Sequence, residues 1–83
     1  MSVFNFEVSI SAEPVGFLVY IKDQGNNLSL AQFCQVSGMD VLGVMKVLTS
    51  SSGFKPEPGD AIGFFLFEDN AKKFIEAIKA AMA

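Results

Sequence analysis

Histidine, arginine and tryptophan are missing from this 83-residue chain, and cysteine occurs once. Without histidine, the commonest general base and the usual activator of Ser or Cys is gone. Without arginine, there is no bidentate fork for guanine or phosphate. The lone Cys34 excludes an intrachain disulfide and a Cys-only zinc site. No apolar run approaches the ~18 residues that a membrane span requires. Met1–Ile10 lacks a basic start and alternates polar with apolar residues, so it does not read as a signal peptide. A cytoplasmic location is the expectation, and the sequon Asn27-Leu28-Ser29 is then a chance match.

Charge is also scarce. Charged residues make up 18% of the chain, against a typical ~25%. Nine acids and six lysines leave a net charge of −3. An acidic chain is repelled by a phosphate backbone unless its charges are segregated, so nucleic acid is not the expected partner. What is abundant is apolar side chain, at 51% of residues. A domain this small has much surface and little interior. Some of that apolar surface is therefore expected outside, where a partner or a second copy of the chain would cover it.

The pattern along the chain predicts one domain over residues 1–83. Val3–Ser11 alternates with period two: Phe4, Phe6, Val8 and Ile10 on one side, Asn5, Glu7, Ser9 and Ser11 on the other. Ala12-Glu13-Pro14 breaks it. Val15–Lys22 is a second strand, with Phe17, Val19 and Ile21 opposite Leu18 and Tyr20. Asp23–Asn27 is a polar loop without the acids of a calcium site. Ser29 with Gln32 forms a capping box for a first helix that ends at Ser37-Gly38. Asp40 caps a second helix to about Leu48 or Thr49, and Ser50–Gly53 reads as a flexible connector. After a turn at Pro56–Asp60, Ala61–Phe67 is apolar on both faces and reads as a central strand. Asp69 or Asn70 caps a last helix, whose apolar stripe is Ala71, Phe74, Ile75, Ile78 and Met82. The expected fold is α+β in the order β-β-α-α-β-α: a small, mainly antiparallel three-stranded sheet packed on helices.

Catalysis is not expected. Cys34 sits between Phe33 and Val36 in the apolar pattern of a helix and reads as a core cysteine. The carboxylate pairs Glu57/Asp60 and Glu68/Asp69 fall at turns or a helix start, where acids have ordinary structural uses. No phosphate loop or metal-ligand spacing occurs, and no cofactor or small-molecule substrate is predicted.

Ser29–Leu48 resembles a helix-turn-helix, and is most similar to the DNA-binding headpiece of lac-repressor-type regulators. Leu30 and Phe33 match apolar positions of its first helix, Cys34 the small residue, and Gly38 the turn. Met39, Val44, Val47 and Leu48 match its core, and Lys46 its basic position. The resemblance implies a nucleic-acid-binding regulator that works as a dimer, with Lys46 as its nucleic-acid-binding residue. The base-reading positions, however, hold Asp40, Val41, Leu42 and Gly43, which are acidic, aliphatic or empty. The preferred expectation is a small acidic protein–protein interaction module: an inhibitor, immunity-type, adaptor or phage or plasmid accessory protein. Its candidate contacts are Val41, Leu42 and Met45 on the second helix, or Leu18, Tyr20, Phe65 and Phe67 on an open sheet face.

Overall fold

A computed structural model describes residues 4–57 and 59–82. Val3 and Pro58 lie outside them. The first two strands are β1 (Glu7–Glu13) and β2 (Gly16–Asp23). They pair antiparallel over their whole length, from Glu7 opposite Lys22 to Glu13 opposite Gly16. Pro14 and Val15 form the turn between them, so the strand runs on through Ala12 and Glu13, and the break comes only at the proline.

A second tight hairpin leads from β2 into β3 (Asn26–Asn27). Its two central residues, Gln24 and Gly25, have φ of 53° and 83°. Positive φ at both positions is the twist that a two-residue hairpin requires. Helices α1 (Leu30–Ser37) and α2 (Val41–Ser50) follow. The expected capping box is present: the Gln32 amide donates to Ser29 Oγ at 3.2 Å, and the Ser29 amide donates to Gln32 Oε1 at 2.9 Å. Gly38 ends α1 with φ 82°, a left-handed conformation that glycine adopts without a Cβ penalty. The Asp40 carboxylate accepts from the Gly43 amide and caps α2.

Of the expected connector Ser50–Gly53, Ser50 ends α2, Ser51 and Ser52 form a turn, and Gly53 opens a short strand, β4 (Gly53–Phe54). Strand β5 is only Gly63–Phe65, shorter than the Ala61–Phe67 read from the sequence. Helix α3 (Glu68–Met82) starts at Glu68, so both expected caps, Asp69 and Asn70, lie inside its first turn. The strand order is β1-β2-β5-β4, with β3 pairing to β2. Every pairing is antiparallel. The fold is α+β, with more strands than the three expected.

The helices cover one face of this sheet. Val19, Ile21, Phe65, Phe33, Val44, Leu48, Phe74 and Ile78 form one buried cluster. The five residues expected for the α3 stripe are all buried. Phe6 packs edge-on against Phe33, with centroids 5.5 Å apart, and extends the core towards the N-terminal end of β1. Two glycines lie beneath aromatic rings. A Cβ at Gly53 would enter the Phe65 ring on the helical side, and one at Gly16 would enter the Phe64 ring on the other.

Candidate functional site

Strand pairing decides which side chains share the uncovered face. Residues directly opposite each other point the same way. Ser11 lies opposite Leu18, Leu18 opposite Phe64, and Phe64 opposite Phe54. These four residues form one row across β1, β2, β5 and β4. Phe54 and Phe64 have ring centroids 5.2 Å apart. Tyr20 continues the face along β2, opposite Ser9. Phe54 is 56% exposed, and Leu66, just past β5, is 61% exposed. Leu18, Tyr20 and Phe64 are half-buried by their neighbours in the row.

Two of the expected sheet contacts belong elsewhere. Phe65 is fully buried on the helical face, against Phe74 at 5.4 Å between centroids. Its neighbour Phe64 takes the place beside Leu18. Phe67 is exposed but lies past the strand, and its carbonyl accepts the Asn70 and Ala71 amides at the start of α3. The sequence reading missed Phe64 and Phe54. The only signal for them was register, which an aromatic run such as Gly63–Phe67 does not carry.

On α2, Val41 and Leu42 are exposed, Leu42 at 73%, while Met45 is half-buried against the core. Val44 and Leu48 are the residues that face inward. Lys46 is exposed on the same helix as Asp40. The apolar surplus of α2 is thus divided between core and surface.

The chain matches no protein-family model, no curated protein and no solved structure.

Acidic side chains border the sheet row. Ser11 Oγ donates to Glu13 Oε2 at 2.8 Å, which holds the Glu13 carboxylate on the uncovered face next to the row. Glu13 lies opposite Gly16, which offers no side chain to neutralise it, whereas Glu7 lies opposite Lys22. At the far end, Phe54 runs into the loop that carries Glu57 and Asp60. That loop folds around an ammonium group. Lys55 Nζ donates to the Pro56 carbonyl at 2.9 Å and the Gly59 carbonyl at 3.1 Å, and lies 3.9 Å from Glu57 Oε1. With its side chain only 11% exposed, Lys55 is a structural pin.

The groups with chemical potential are dispersed. Glu68 and Asp69 occupy the exposed first turn of α3. The broad depression there is lined by Phe67, Asp69, Asn70, Lys72, Lys73 and Glu76, with both signs of charge. Among the described residues, no three His, Cys, Asp or Glu side chains come together as a metal site. No helix there is long and apolar enough to cross a membrane. Cys34 is half-buried, and burial, with a smaller contribution from the Asp40 charge, pushes its thiol up from the ordinary value. Less thiolate is then present at neutral pH than on a free cysteine. Iodoacetamide should therefore modify Cys34 more slowly than a model thiol at pH 7.5. Asp40→Asn keeps a capping side chain and should speed the reaction. An unchanged rate in that variant would mean that Asp40 does not influence the thiol.

Proposed function

We propose that this protein acts by binding another protein through the open face of its sheet. The observation that supports this is the row Leu18–Phe64–Phe54, an apolar ridge that the helices leave uncovered. Covering one large apolar side chain contributes roughly 1.5–3 kcal/mol. A contiguous ridge is therefore worth more to a partner than the isolated Val41–Leu42 pair on α2.

A photo-crosslinking side chain tests the choice of surface. Placed at Phe54, it should give a discrete adduct in an extract of the producing cell, and placed at Lys73 it should give none. Placed at Leu42, it should also give none, and Leu42→Asp should change stability by less than about 0.5 kcal/mol, as exposed substitutions do. Adducts from Leu42 alone would move the site to α2 and sink the sheet-face reading.

A second reading draws on the two helices joined through Gly38 and on the exposed Lys46: a regulator that binds duplex DNA, as a dimer. Its requirement is a mobility shift at low salt that falls steeply as salt rises. Asp40 beside the same corner weighs against it.

A further inference from the structure

The charges of this chain are not spread evenly over its two layers. In the helical layer, Lys46, Lys72, Lys73 and Lys79 balance Asp40, Glu68, Asp69 and Glu76. The sheet and its loops carry Glu7, Glu13, Asp23, Glu57 and Asp60 against Lys22 and Lys55. The whole net charge of −3 therefore belongs to the sheet layer. Lys55 is held by two backbone carbonyls and lies 3.9 Å from Glu57, and Lys22 lies across from Glu7 without an ion pair among the described residues. Acids stand at both ends of the apolar row: Glu13 beside Ser11, and Asp60 with the exposed, Lys55-paired Glu57 in the loop after Phe54.

Building on the sheet-face reading above, we infer that the occupant of this face is a basic, apolar-faced segment of another protein, with Lys or Arg interleaved among large apolar residues. Charge complementarity carries the choice. A segment that lays apolar side chains on Leu18, Phe64 and Phe54 brings its flanking residues to the two acidic ends. Cations there are attracted, and like charges are repelled. A second copy of this chain fits poorly. A two-fold face-to-face contact sets the same patch against itself. It would place each copy's acidic sheet layer on the other's, with Lys22 as the one lysine on that face against Glu7 and Glu13. The remaining lysines, Lys46, Lys72, Lys73 and Lys79, belong to α2 and α3, which pack on the opposite face of the sheet.

Tyr20 provides the probe. It is the single tyrosine, tryptophan is absent, and it lies on this face. Its fluorescence is to be followed during titration with two synthetic peptides lacking Tyr and Trp, one alternating Leu with Lys and one alternating Leu with Glu. The Leu/Lys peptide should perturb Tyr20 and bind more weakly as salt is raised. The Leu/Glu peptide should not bind. Glu13→Gln should weaken the Leu/Lys peptide about three-fold at low salt, the size expected of one exposed charge pair. Glu76→Gln makes the same change of net charge on the helical layer and should leave affinity unaltered. Phe54→Ser should abolish binding.

Equal binding of both peptides would overturn the basic occupant, while the crosslink at Phe54 would still support a protein-binding face. Equal weakening by Glu13→Gln and Glu76→Gln would reduce the effect to net charge and overturn it too. No binding of either peptide has the same consequence. A dimer by light scattering that Phe54→Ser dissolves would replace the basic segment with a second copy. Loss of the Phe54 adduct, in contrast, would remove the sheet-face reading itself.

Discussion

Phe65→Ala should lower the folding free energy by about 3–5 kcal/mol, the range for emptying a large aromatic site in a core. Phe65 is fully buried, lies over Gly53, and stacks at a tilt on Phe74 from α3. It therefore joins β5, β4 and α3 at one point. Total stability of a domain is about 5–15 kcal/mol, so this one truncation removes a large fraction of it. The adjacent Phe64→Ala should cost far less, about 1 kcal/mol, because Phe64 is on the uncovered face and already meets water. Urea unfolding of the two variants decides the matter. Equal losses would mean that the two rings are not on opposite faces of the sheet.

Gly16→Ala should also destabilise, by about 1–3 kcal/mol, although alanine ordinarily suits a strand better than glycine. The φ of Gly16 is not in the left-handed region, so the backbone does not demand glycine there. Space does. A Cβ at this position would lie 2.6 Å from the Phe65 carbonyl oxygen and inside the Phe64 ring. The backbone contact cannot be relieved by a rotamer change, so β2 and β5 must part or Phe64 must swing away. The entropy gained in the unfolded chain is only about 0.4–1 kcal/mol and does not offset this. The same variant should lose affinity for a partner on the open face, since Phe64 is the centre of the row. A stability at or above that of the parent protein would show that the ring has room to move.

The first hairpin, the two capped helices and the stripe of α3 were legible in the sequence because each has a local signature. Val8 and Ile10 alternate with Ser9 and Ser11, Ser29 and Asp40 stand where caps are needed, and Ala71, Phe74, Ile75 and Ile78 recur at helical spacing. The site was legible only in part. Leu18 and Tyr20 follow from the alternation of β2, but Ile62–Phe67 is apolar at nearly every position, so no period distinguishes its faces. Ile62 and Phe65 have opposite parity, yet both are buried, because the ladder begins at Gly63 and Ile62 enters the core from outside it. Strands β3 and β4 have two residues each, too few for any periodicity, and exist through pairing alone. Phe54 joins the row only because β4 lies against β5, a contact distant in sequence from its own neighbours.

The outer side of β1 bears on the behaviour of the protein at high concentration. In the strand order, β1 is at one margin of the sheet, seven residues long, with its second row of amides and carbonyls facing outwards. Such a margin is a template on which identical chains can add to one another. Its two ends are Glu7 and Glu13. If two copies met antiparallel about Ile10, Glu7 of each would face Glu13 of the other. If they met parallel and in register, each Glu would face its own counterpart. Both arrangements set like charges opposite each other, which is destabilising. The strand thus carries its own guard against filament growth, and because the guard is electrostatic, concentrated salt weakens it.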